Sequence, residues 1–144
     1  MENDFDYKLV PSGFGHCFNN DCPQADSCLR NVAARHSTSG TQFIRIVNPA
    51  YYPTDGNTCS HFKQYQKVRM AWGISHLFDN VPSKEVAGLR RLLINHFTKA
   101  LYYRFFRKEY AIIPRDQLYI RQLFKQKGIH EEPAFEYYTD EYEW

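Results

Sequence analysis

The chain has 144 residues, 43% hydrophobic and 24% charged, with a formal net charge of +2 at pH 7. That balance is globular: the chain is long enough to bury a core and too apolar for a disordered segment. No stretch approaches the ~18 consecutive apolar residues of a membrane span, and Met1-Glu2-Asn3-Asp4-Phe5-Asp6 is acidic where a signal peptide is basic and then apolar, so no membrane and a cytoplasmic location are expected.

Residues 5–14 mix apolar and polar side chains around the turn signal Pro11-Ser12-Gly13 and read as an extended segment. They lead into His16 to Cys28, which holds Cys17, Cys22 and Cys28; the fourth cysteine is Cys59, and the full pattern is C-x4-C-x5-C-x30-C. In a reducing compartment such cysteines serve more often as metal ligands or thiols than as disulfides. Cys17, Cys22, Cys28 and Cys59 are therefore the candidate metal ligands, with His16 or His61 able to replace one thiolate. A closed shell of four soft ligands points to structural zinc, with no open position for hydrolysis. The C-x4-C opening echoes plant-type ferredoxin spacing, which makes an iron–sulfur cluster the alternative cofactor. The opposing explanation, cysteines packed as small hydrophobes, is disfavoured by the polar neighbours Asn19, Asn20, Asp21 and Asp26.

Asp26 is placed to cap a short helix running to about Ala34, with Cys28 in its first turn. Residues 36–40 read as a loop, and Gln42–Val47 as a strand closed by Asn48-Pro49, with residues 5–10 as its partner. Residues 53–57 read as a turn. From Ser60 to Phe78 the apolar positions Phe62, Tyr65, Val68, Trp72 and Phe78 recur at near-helical spacing and predict a helix. A second helical pattern begins with Ser83 as cap and Glu85 in its first turn. Val86, Leu89, Leu93, Phe97, Leu101 and Phe105 carry its apolar face to about Lys108, as one long helix or as two broken near Asn95–Thr98. Pro114 interrupts. A last helix starts at Arg115 or Asp116, runs through Leu118, Ile120, Leu123 and Phe124, and is stopped by Gly128. Residues 131–144 form a tail with six acids, five aromatic residues and no Lys or Arg.

Charge is segregated: residues 61–130 hold 14 Lys and Arg against four acids. Arg90, Arg91, Arg104, Arg107, Lys108, Arg121 and Lys125 are the candidate nucleic-acid contacts. Tyr102 to Lys108 interleaves rings and cations, the composition that grips a phosphate backbone by charge and bases by stacking. The plainer explanation is a solvated outer face of amphipathic helices with the rings turned inward. The acidic tail is expected to fold onto the basic helices of its own or a neighbouring chain. His36, His76, His96 and His130 stand without a nucleophile or carboxylate at a recognisable spacing, and there is no P-loop, G-x-G-x-x-G or H-E-x-x-H. No enzyme is expected.

Together these readings predict a mainly α fold with a small extended or β N-terminal part. It is a single domain of about four helices over residues 1–130, stapled by a metal site in a Cys-rich subregion (about residues 1–60) and followed by the tail 131–144. The expected function is a zinc-stabilised binding module for nucleic acid. The alternatives are a protein–protein interaction subunit using the aromatic surface and tail, or a small iron–sulfur redox or sensor protein.

The run His16-Cys17-Phe18, Cys22-Pro23, Asp26 and Cys28-Leu29-Arg30 precedes an aromatic, basic helical half containing Gln117-Leu118-Tyr119-Ile120. In these residues, and over nearly its whole length, the chain resembles a small family from Bacteroides-type gut bacteria, a domain of unknown function. The resemblance implies a bacterial, cytoplasmic origin and carries no activity, ligand or site with it.

Overall fold

A computed structural model describes residues 4–37, 40–54 and 59–144. The loop expected at 36–40, the turn expected at 53–57 and the acidic start lie partly outside the described residues. The chain packs as two compact units, Met1–Lys67 with Tyr142–Trp144, and Val68–Glu141.

The first unit is built on α1 (Leu29–Arg35), preceded and followed by the 3-10 turns Tyr7–Leu9, Ala25–Ser27 and Pro49–Tyr51. A seven-residue helix cannot persist on its own. It is held because Leu29 and Ala33, one turn apart, are fully buried with Val32, Phe5, Phe14 and Tyr142 in one apolar cluster. Each large side chain buried there contributes roughly 1.5–3 kcal/mol. Irregular backbone is tied down by isolated pairings. The Leu29 amide donates to the Lys63 carbonyl (2.6 Å) and the Tyr65 amide to the Ser27 carbonyl (2.8 Å), across an antiparallel bridge between Cys28 and Gln64. A parallel bridge joins His16 to Ile46. Asp26 does not cap α1; its carboxylate accepts from Arg35 Nη2 at 2.7 Å, and Cys28 occupies the cap position.

The second unit carries an antiparallel two-stranded sheet, β1 (Lys67–Trp72) with β2 (Tyr137–Tyr142), whose Lys67 and Tyr142 belong to the first unit. Three helices follow β1: α2 (Ser83–Phe97), α3 (Lys99–Phe106) and α4 (Pro114–Gln126). Leu89, Leu93 and Phe97 repeat every four residues along α2 and meet Tyr102, Phe105, Ile120, Leu123 and Phe124 in the core. The α2–α3 break falls at Thr98, within the span expected. Pro114 takes the first position of α4, where its missing N–H costs nothing. Gly128, with φ +76°, ends that helix: its amide donates to Lys125 and the Ile129 amide to Phe124, the paired bonds of a Schellman motif.

Two parts of the expected fold are corrected. The strands are not N-terminal: residues 42–47 contribute only the Ile46 bridge, residues 7–9 are a 3-10 turn, and the helix expected over 60–78 contains β1 instead. The helical spacing of Val68 and Trp72 conceals the alternation Lys67, Val68, Arg69, Met70, in which the cations are exposed and the apolar residues turned in. Nor is the fold stapled by a metal site. Among the described residues no three His, Cys, Asp or Glu side chains are gathered closely enough to hold a metal ion, and the first unit is held by its aromatic and aliphatic cluster.

Candidate functional sites

In the first unit, Cys17, Cys22, Cys28 and Cys59 all line one narrow cavity of about 30 Å³. All four are half-buried, unpaired thiols. The fold thus brings the four predicted residues to one hollow without closing them into a ligand shell. The loop that carries Cys17 is held by Asn31, which is 1% exposed. Its Nδ2 donates to the Cys17 carbonyl and the Asn20 Oδ1 (both 3.1 Å), while its Oδ1 accepts from Arg35 Nε at 2.6 Å. The i, i+4 pair Asn31–Arg35 was a legible signal for this role. Burial raises the pKa of the Tyr52 phenol, and Cys17 beside it pushes the same way. His16 is not at the cavity. Its Nδ1 faces the carbonyls of Phe14 (3.0 Å) and Arg45 (3.2 Å), and so carries the proton; its Nε2 accepts from the Tyr7 hydroxyl at 2.8 Å.

In the second unit, Ile74, Ser75, Phe78, Arg90, Tyr102, Tyr103 and Phe106 surround an open hollow of about 270 Å³. The Arg90 guanidinium lies 5.5 Å from the centre of the Phe78 ring. Tyr102 is buried, which raises its pKa, and the neighbouring Arg90 guanidinium offsets part of that rise. Tyr103 stands edge-on to Tyr102 at 5.2 Å and reaches Phe106 at 6.5 Å. Tyr103 is 37% exposed and Phe106 46%, so both present ring surface to solvent. The sequence singled out the rings of α3 but not Phe78 or Ser75, which come from the turns between β1 and α2.

The seven predicted cations separate into two groups. Arg107 pairs with Glu109 (2.9 Å), Lys108 with Glu136 (3.6 Å) and Arg121 with Glu132 (2.7 Å). The Arg107 bond lowers the Glu109 pKa. Two of these acids belong to the C-terminal acidic segment, which therefore does fold onto basic residues of its own chain. Arg90, Arg91, Arg104 and Lys125 are exposed and make no ion pair among the described residues; Arg104 lies 5.1 Å over the Tyr110 ring. No helix among the described residues is long and apolar enough to cross a membrane.

No curated protein and no solved structure matches the chain. The family of unknown function DUF6078 matches it over residues 1–144, and the chain belongs to that family.

Proposed function

We propose that the chain is a non-enzymatic binding module that takes single-stranded nucleic acid on the α2–α3 surface of its second unit. The observation that carries this reading is the hollow bounded by Phe78, Tyr102, Tyr103 and Phe106 with one arginine at its side. Its volume suits a single unpaired base, and two of its rings are open to solvent on one side. Stacking on such rings tolerates any base, because every base has a π face. Arg90, Arg91 and Arg104 supply the phosphate contacts. Arg107, Lys108 and Arg121 already have carboxylate partners and contribute less.

The test is fluorescence anisotropy of a labelled single-stranded oligonucleotide against the full chain and its Tyr103→Ala and Phe106→Ala variants. Both side chains are partly exposed, so the fold should survive their truncation. Each variant is expected to weaken binding by about 1–3 kcal/mol, the worth of one base stacked on a ring. Unchanged affinity in both variants would reject the site.

A further inference from the structure

The first unit holds a second, larger cleft that shares Arg30, Val47, Tyr51 and His61 with the cysteine cavity and adds Arg45. It measures about 560 Å³, within the range of small-molecule sites. Arg30, Arg45 and His61 line it, and among the described residues no Asp or Glu does. We infer that this cleft binds a small phosphomonoester that carries an aromatic ring, of the nucleoside monophosphate kind, with the phosphate on Arg30 and Arg45 and the ring on Tyr51.

Arg30 is fixed before any ligand arrives. Its Nε donates to the His61 carbonyl (2.7 Å), its Nη1 to the Gly15 carbonyl (2.8 Å), and its guanidinium lies 4.7 Å over the Phe14 ring. Its Nη2 has no protein partner among the described residues. A guanidinium held by two carbonyls, with donors left over and no carboxylate, keeps its full charge for an anion. Gly15 is part of this arrangement: a Cβ there would stand 3.0 Å from Arg30 Nη1, so a side chain would press on the guanidinium.

Arg45 is positioned by backbone. The His16 amide donates to the Arg45 carbonyl and the Val47 amide to the His16 carbonyl (both 2.8 Å), and the His16 ring adds its own bond to the Arg45 carbonyl. The buried histidine thereby fixes the segment that carries an exposed arginine, whose side chain makes no ion pair among the described residues. Asn48 does the same for the ring platform. Its Oδ1 accepts from the Ala50 amide at 3.0 Å and caps the turn Pro49–Tyr51, which leaves Tyr51 74% exposed at the rim beside Ile46. Two cations able to share one dianion, next to an exposed ring, match a molecule that carries both a phosphate and a flat ring better than either part alone.

The experiment is calorimetric titration of the full chain with adenosine monophosphate, with adenosine and inorganic phosphate as separate probes. Adenosine monophosphate is expected to bind more tightly than either fragment. Arg45→Gln, at an exposed position, is expected to weaken it about tenfold or more, as loss of a charge-assisted bond does. Arg30→Lys keeps the charge but loses the fork, and should weaken it as well. The same titrations in a background carrying both Tyr103→Ala and Phe106→Ala, which removes the base-stacking rings of the second unit, should keep their dependence on Arg45, which separates this site from the nucleic-acid reading. Absence of adenosine monophosphate binding, binding no tighter than inorganic phosphate, or binding lost in Tyr103→Ala and kept in Arg45→Gln would overturn the inference.

Discussion

At Gly73 the backbone adopts φ +81°, and a Cβ there would collide with the Glu136 carboxylate. That carboxylate lies over the glycine, with Oε1 3.6 Å from Lys108 Nζ and a buried Oε2 that has no hydrogen-bond partner among the described residues. The Glu136 amide donates to the Trp72 carbonyl at 2.9 Å, so the glycine is where the C-terminal segment seats beside β1. Gly73→Ala meets both a disfavoured φ and this clash, and is expected to cost about 1–3 kcal/mol, measured by urea denaturation. A variant as stable as the parent would show that Glu136 is not seated there. Tyr142 gives a second residue-scale prediction. Burial, reinforced by the neighbouring Tyr65, raises its pKa from 10.0 to about 12. The fold therefore favours the neutral phenol, and the stabilisation is complete below pH 10 and lost as pH rises through about 12. From about pH 10 toward about pH 12 the urea midpoint should fall, and Tyr142→Phe, which cannot ionise, should fall less steeply. Equal slopes would remove Tyr142 as the cause.

The break between α2 and α3 is set by one unusual residue. Thr98 has φ 78° and ψ 154°, a region that β-branched residues avoid, while its hydroxyl caps α3 by accepting from the Leu101 amide at 3.3 Å. Thr98→Gly loses the cap but relieves the backbone; since glycine is nearly as good a cap, a gain of about 1 kcal/mol is expected in thermal or urea unfolding. A loss of stability would mean the cap outweighs the strain. The sequence offered a break near Asn95–Thr98 as one of two readings, the other being a single long helix, and placed the end of α4 at Gly128, because capping and proline chemistry are local. It misplaced the sheet for the opposite reason. What defines β1 is its partner far along the chain: Trp72 Nε1 donates to Thr139 Oγ1 at 2.7 Å and its ring stacks on Tyr137, while Arg69 lies 3.8 Å over the Tyr138 ring. Tyr-Tyr-Thr is strand-forming composition, but its acidic surroundings made it read as a tail docked by charge rather than as a strand.

At the scale of the whole chain, the segregation of charge seen in the sequence is partly resolved by pairing. Acids of the last residues meet Arg121 and Lys108, and the aromatic positions of the same segment are used in the sheet and in the core around Phe5 and Phe14. That pairing divides the predicted cations, and no count along the sequence could have shown which would be neutralised. The cysteines were legible as a group, since all four reach one cavity across 43 residues of chain. The bonds by which Asn31 holds the Cys17–Asn20 stretch join residues well separated along the chain, and spacing does not encode them. Cations left without carboxylates, beside open rings on α3, are the basis of the nucleic-acid reading. Its most direct test is the salt dependence of single-stranded oligonucleotide binding, measured for the parent chain and for Arg90→Gln, Arg91→Gln, Arg104→Gln combined. Three phosphate contacts give a slope of log K against log salt of about −2 for a single strand, and the triple variant should bind weakly with a slope near zero. No binding to the parent at low salt, or a slope that the three substitutions leave unchanged, would contradict the account.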